Sequence, residues 1–126
     1  ISQAAAVEAL VGTQDFIKER ATSFQERRDF VVKALNEIDG IECLNPDGAF
    51  YVFPSCKGLM GKKDTNGNEL KNDTDFVQSL LENSGIAVVQ GSAFGLEGFF
   101  RISYATSMEN LKKALEKIST FCKSLS

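Results

Sequence analysis

The stretch Gly98-Phe99-Phe100-Arg101-Ile102-Ser103-Tyr104 decides the fold, because its side chains alternate in the way that a β-strand requires. One face of this strand suits a hydrophobic core and carries Phe100, Ile102 and Tyr104. The opposite face carries Phe99, Arg101 and Ser103. A guanidinium on a strand face forms a structural salt bridge, or it grips a ligand carboxylate with two parallel hydrogen bonds. The pattern alone favours the salt bridge.

Helical periodicity flanks this strand on both sides. Apolar residues at a 3.6-residue period predict four helices, over residues 2–10, from about 13 to Gly40, over 74–83 and over 108–124. Thr106 and Glu109 have the spacing of a capping box at the start of the last helix. The second helix is unusually long for a domain of this size, so it is predicted to extend past the core.

Short apolar and aromatic runs predict three more strands, over residues 41–44, 49–53 and 86–89. The resulting order α-α-β-β-α-β-β-α indicates an α+β fold over residues 1–126, taken as one domain. We expect a small, mostly antiparallel or mixed sheet with helices packed on one face. Residues 57–71 are rich in Gly, Lys, Asn and Asp, and they predict a mobile surface excursion remote from any chemistry.

Composition excludes several classes of function. The net charge of −3 argues against a nucleic-acid partner, and no apolar run is long enough to predict a membrane span. Three cysteines at no metal-like spacing predict reduced thiols in a cytoplasmic protein, with no metal site. The chain has no histidine, which removes the usual Ser-His-Asp and Cys-His catalysis. The opening residues lack an initiator Met, and we interpret them as the interior of a longer protein.

Three segments resemble the class I aminotransferases of fold type I, in their bacterial aspartate aminotransferase branch. They are Asn45-Pro46-Asp47-Gly48-Ala49-Phe50-Tyr51-Val52-Phe53-Pro54, Gly85-Ile86-Ala87-Val88-Val89-Gln90-Gly91-Ser92-Ala93-Phe94-Gly95 and Phe100-Arg101-Ile102-Ser103-Tyr104-Ala105-Thr106-Ser107. The resemblance runs over essentially the whole chain. It implies the C-terminal small domain of an enzyme that uses pyridoxal phosphate (PLP) as its cofactor.

The resemblance also implies roles for particular residues. Arg101 matches the arginine that binds the substrate α-carboxylate, and Phe50 matches an aromatic residue near the substrate, although a plain core role for Phe50 stays open. No catalytic or cofactor-binding residue is expected in this chain. The Schiff-base lysine and the phosphate-binding groups of the family belong to a large domain that precedes the equivalent of Ile1. Gln90 stands where many relatives have proline.

The implied function is substrate-carboxylate binding by the small domain of an aspartate aminotransferase. The full enzyme would be a cytoplasmic homodimer that converts aspartate and 2-oxoglutarate to oxaloacetate and glutamate, and the chain alone would be inactive. One alternative is an aminotransferase of related specificity, for prephenate or another amino acid. Another is a free-standing α+β module that binds a carboxylate through Arg101, and a third is a structural fragment without a ligand.

Overall fold

A computed structural model describes all 126 residues. It contains four α-helices: α1 (Ser2–Val11), α2 (Asp15–Asn36), α3 (Asp73–Ser84) and α4 (Met108–Ser124). Three strands form one sheet: β1 (Tyr51–Val52), β2 (Val89–Gln90) and β3 (Phe100–Ser103). Two short 3₁₀ helices, Lys57–Leu59 and Gly91–Phe94, lie in the connections. The α+β class and the long helix near the N-terminus are therefore confirmed.

The sheet is antiparallel throughout, with β3 in the centre and the order β1-β3-β2. Val52 lies opposite Ile102 on one side of β3, and Val89 lies opposite Arg101 on the other. The core-facing residues predicted for β3 are all buried: Phe100, Ile102 and Tyr104. The alternation of the strand is therefore confirmed on its buried face.

Helices α2, α3 and α4 cover the buried face of the sheet and supply nine of the 20 buried core residues. The ring of Phe100 lies 5.1 Å from that of Phe76 on α3, which in turn lies 6.0 Å from Phe121 on α4. Tyr104 packs beside Phe24 of α2, and its hydroxyl donates a hydrogen bond to the Ala49 carbonyl at 2.9 Å. Aromatic contacts of this kind stabilise beyond their buried area and fix how the helices sit on the sheet.

The strand predicted over residues 41–44 does not form. Glu42 makes only an isolated antiparallel bridge with Ser55. Both backbone groups of Cys43 are bonded to the Asn36 side chain, since its Nδ2 donates to the Cys43 carbonyl at 2.9 Å and its Oδ1 accepts from the Cys43 N–H at 2.8 Å. A side chain at the end of α2 thus replaces the strand partner that the apolar run would need.

Element boundaries differ from the sequence predictions at several points. Helix α2 ends at Asn36, and Gly40 lies three residues past the cap Glu37, in a turn with φ of +87°. The capping box assigned to Thr106 is wrong by one residue, because Ser107 caps α4 and accepts from the Asn110 N–H at 3.2 Å. The two edge strands are also shorter than their apolar runs, as the observed bounds of β1 and β2 show.

Residues 57–71 are anchored, contrary to the expectation of a mobile excursion. Leu59 and Leu70 are fully buried in the core. The carboxylate of Asp64 accepts hydrogen bonds from the N–H groups of Asn66 and Asn68 and from the Ser79 hydroxyl, each at 2.9 Å. The bond to Ser79 ties the tip of this segment to α3.

The N-terminal helices leave apolar side chains uncovered. No residue of α1 is buried, and its exposed apolar residues include Val7, Leu10 and Val11. Phe16 and Ile17 at the start of α2 are exposed as well. None of the four helices combines the length and the apolar character needed to cross a membrane.

The three thiols are buried and should be unreactive in the folded chain. Burial raises the pKa of Cys43 to about 11 and, with a further contribution from the Asp73 charge, the pKa of Cys56 to about 12. Burial likewise raises the pKa of Cys122 to about 12. We expect negligible reaction with a thiol reagent at about pH 8, and reaction of all three thiols once urea unfolds the chain.

The same shifts predict the alkaline limit of stability. Each thiol has a higher pKa in the folded chain than its ordinary value of 9.0. Their contribution to the free energy of unfolding is therefore complete below pH 9.0. It is lost as the pH rises through the pKa values of the folded chain. Urea unfolding midpoints measured across this pH range test whether stability falls as the pH rises. Fast alkylation of the native chain at neutral pH would contradict the burial of the thiols.

Candidate functional site

Arg101 lies on the open face of the sheet, opposite the core. Its guanidinium carbon is 4.5 Å from the ring centroid of Phe94 and 5.6 Å from that of Tyr51. A cation between two aromatic rings is attracted by their π faces, and this attraction leaves the N–H groups free to donate elsewhere. Phe94 and Tyr51 therefore hold the guanidinium in place without using its hydrogen-bonding capacity.

The salt bridge that the strand pattern favoured is not formed. The ion pairs of the chain join Arg28 to Asp29 and Lys113 to Glu109. The guanidinium of Arg101 makes no ion pair or hydrogen bond with the chain's own oxygens. A partly buried arginine whose planar donors are all free is chemically able to bind a carboxylate with two parallel hydrogen bonds.

A row of three aromatic side chains continues the open face away from Arg101. The rings of Phe94 and Phe53 lie 6.0 Å apart, and Phe53 stacks on Phe99 at 5.7 Å. The ammonium of Lys57 lies 4.9 Å above the Phe99 ring at the far end. We call Phe94, Phe53 and Phe99 the aromatic row. Sequence reasoning did not assign these residues to the site, although the two-residue period of Tyr51 and Phe53 indicates a shared face.

A tightly constrained turn, the 3₁₀ helix Gly91–Phe94, places Phe94 next to Arg101. A Cβ on Gly91 would clash with the Leu96 carbonyl and lie 2.8 Å from the Cβ of Phe99, so only glycine fits here. The Gly91 N–H donates to the Phe99 carbonyl at 2.7 Å, and the Ser92 N–H donates to Asp73 at 2.6 Å. The turn is thus bonded to the residue that precedes β3 on one side and to α3 on the other.

Phe50, the second predicted site residue, lies at the rim of the open face. Its side chain is 55% exposed, so the core role that the sequence left open is wrong. Its ring makes an edge contact with Tyr51 at 5.6 Å. Phe50 and Arg101 are therefore linked through Tyr51, whose ring both of them contact.

These features describe an α+β domain with an arginine-centred face, and the family comparison identifies it. The family described as aminotransferase class I and II matches residues 1–118. The chain therefore belongs to the class I and II aminotransferases, in the bacterial aspartate aminotransferase branch of class I.

Individual relatives agree in sequence and in structure. The aspartate aminotransferase of Rhizobium meliloti (strain 1021) is 60% identical over 126 residues, which are 100% of this chain and 31% of that protein. A probable aspartate/prephenate aminotransferase of Rhizobium leguminosarum bv. phaseoli is 59% identical over 97% of this chain and 30% of its own length. The crystal structure of the aspartate aminotransferase from Rhizobium meliloti superimposes with a TM-score of 0.97 and 59% identity, over 99% of this chain and 31% of that one. The chain thus spans less than a third of the length of these relatives.

PLP, the cofactor that the family implies, does not fit the residues of this chain. PLP needs an amine for covalent attachment and several donors around its phosphate. The lysine that contacts the aromatic row is Lys57, at the end remote from Arg101. The Ser92 N–H at the start of the 3₁₀ turn is already taken by Asp73. Neither the Lys57 amine nor the Ser92 N–H is therefore placed to hold PLP beside Arg101.

Proposed function

We propose that this chain is the C-terminal small domain of a PLP-dependent aspartate aminotransferase, in which Arg101 binds the α-carboxylate of the substrate. The observation that carries the proposal is the state of the guanidinium. It is held between Phe94 and Tyr51 with no carboxylate of its own chain as partner. Membership of the aminotransferase family supports the same assignment.

Arg101 acts by orientation in this proposal. A guanidinium only donates hydrogen bonds and has no acceptor, so it is not assigned a part in proton transfer. Two parallel N–H donors fix both carboxylate oxygens, and this sets the direction of the substrate's Cα–H bond toward the groups that react with it. Phe94 and Tyr51 remove part of the water around the charge, which strengthens the pairing.

The remaining residues of the open face suit contact with the rest of the enzyme. Phe50 and Phe94 are about half exposed, and α1 presents further apolar side chains. Exposed apolar groups in such number are characteristic of an interface. We propose that the large domain of the same protein, and a second subunit of a cytoplasmic homodimer, cover them in the full enzyme.

The proposed reaction is transfer of the amino group of aspartate to 2-oxoglutarate, giving oxaloacetate and glutamate. The name of the Rhizobium meliloti relative supports aspartate as the substrate. The Rhizobium leguminosarum relative, named as a probable aspartate/prephenate enzyme, supports prephenate as a second acceptor. Both substrates carry the α-carboxylate that Arg101 would bind, so this residue does not distinguish them.

The isolated chain is expected to bind no PLP in a defined site and to show no transamination. Its residues offer a carboxylate fork without an amine or a phosphate cradle beside it. Absorbance spectra of PLP mixed with the chain should match those of free PLP with a few surface amines. Coupled assays with aspartate and 2-oxoglutarate should show turnover only for the full-length protein.

The same assay tests the proposed function itself. A full-length protein that leaves aspartate, prephenate and other amino-group partners unchanged would refute an aminotransferase. A stoichiometric PLP adduct and turnover in the 126-residue chain would refute the division of labour between two domains. Tight binding of succinate by the isolated chain would favour the free-standing carboxylate-binding module.

A further inference from the structure

Asp73, the first residue of α3, is a buried carboxylate that the chain satisfies on one side only. It is 1% exposed. Its Oδ2 accepts a hydrogen bond from the Ser92 N–H at 2.6 Å, whereas its Oδ1 has no hydrogen-bond partner. Buried carboxylate oxygens are normally paired, and an unpaired one is costly.

The bond to Ser92 links α3 to the turn that carries Phe94. Ser92 lies in the 3₁₀ helix Gly91–Phe94, and the ring of Phe94 lies against the Arg101 guanidinium. On its other side the turn is bonded through the Gly91 N–H to the carbonyl of Phe99, the residue that precedes β3. Two bonds at adjacent residues, to two different segments of the chain, leave the turn little freedom to shift relative to Arg101.

Asp73 lies in the first turn of α3, so its carboxylate is held on a regular helix. Its 2.6 Å bond to the Ser92 N–H is short for an N–H donor. Asp73 therefore combines a short bond to the turn with a fixed position on a helix.

We propose that Asp73 is a positioning residue for the carboxylate site. Its hydrogen bond to Ser92 fixes the turn, the turn places Phe94, and Phe94 holds the guanidinium of Arg101 in the orientation that accepts a carboxylate. This inference rests on the proposed function of Arg101. Without the bond, Phe94 and the guanidinium gain freedom, and the loss of that freedom must then accompany substrate binding.

Asp73→Ala in the full-length enzyme tests the inference. We expect KM for aspartate and the inhibition constant of succinate to rise about tenfold or more, with kcat within about threefold of the parent value. Asp73→Asn keeps an oxygen that accepts from Ser92, so it should restore most of the affinity. A role in folding alone would change the melting temperature of these variants and leave KM and the inhibition constant unchanged.

Asp75→Ala is the matched control. Asp75 also lies in the first turn of α3, but its carboxylate accepts from the Lys71 N–H at 3.0 Å and makes no hydrogen bond to the turn. Its removal deletes a similar helix-end charge, so KM should stay within about twofold of the parent value.

The outcomes separate cleanly. Asp73→Ala with the KM and inhibition constant of Asp75→Ala would overturn the inference. If Asp73→Ala does not fold, Ser92→Pro removes the same bond by deleting the N–H, and an unchanged KM there overturns it equally. Arg101→Lys, assayed in the same series, distinguishes a failure of the proposed function from a failure of the positioning role of Asp73. Parent-like kinetics of that variant would refute the proposed function, whereas impaired kinetics with a silent Asp73 would refute the positioning role alone.

Discussion

Arg101→Lys in the full-length enzyme is expected to lower kcat/KM for every amino-acid substrate by about 2–5 kcal/mol, or roughly 30- to 5,000-fold. Lysine keeps the positive charge but loses the planar pair of donors that matches a carboxylate. The loss should extend to all substrates because all share the α-carboxylate. PLP should stay bound and the melting temperature should change little, since Arg101 has no ion-pair partner to lose.

Arg27→Lys provides a matched control for this experiment. Arg27 is also partly buried and lies over an aromatic ring, with its guanidinium carbon 5.3 Å from the centroid of Phe24. It lies on α2 and is not part of the open face. We expect its kinetics to match the parent. Normal kcat/KM in Arg101→Lys, together with a clear drop in melting temperature, would assign Arg101 a structural role and end the site assignment.

Phe100→Ala is expected to destabilise the 126-residue chain by about 3–5 kcal/mol, the usual cost of truncating a buried phenylalanine. Phe100 is fully buried in the central strand and packs on Phe76. Removal of its ring leaves a cavity between the sheet and α3 that a rigid core does not refill. Urea unfolding followed by circular dichroism should show this loss as a lower midpoint.

Phe50→Ala is the control for the core variant, because Phe50 is more than half exposed. This substitution should lower the free energy of unfolding by less than about 1 kcal/mol. If Phe100→Ala does not fold, Phe100→Leu keeps most of the volume and should cost about 1–2 kcal/mol. A midpoint for both Phe100 variants that equals the parent's would contradict the assigned core. Phe100 and Arg101 are adjacent in sequence, yet one should affect stability and the other kinetics.

The central strand could be predicted from the sequence because its information is local. A two-residue period assigns Phe100 and Ile102 to one face and Arg101 to the other, whatever the rest of the chain does. The long helices were predicted for the same reason. The strand expected over residues 41–44 failed because the decisive group is the Asn36 side chain, and its reach depends on how α2 ends.

The open face and the 57–71 segment show where local information stops. The composition of this segment is dominated by polar residues, so it does not reveal that two apolar residues, Leu59 and Leu70, anchor the segment in the core. At the site, the strand pattern singles out Arg101 but not its neighbours. Tyr51 is fifty residues away in sequence, and Phe94 reaches the guanidinium only through the turn at Gly91. Contacts of this kind are set by tertiary packing.

Because no residue of α1 is buried, the rate of amide hydrogen exchange should differ between α1 and the rest of the chain. A ten-residue helix in water has marginal stability without packing, since helix nucleation is unfavourable and a short helix forms few hydrogen bonds to offset it. In the separate chain, the amides of α1 should exchange with deuterium almost as fast as those of an unstructured peptide. Those of β3 should exchange only through global opening. Docking of a covering domain would show itself first as slowed exchange in α1.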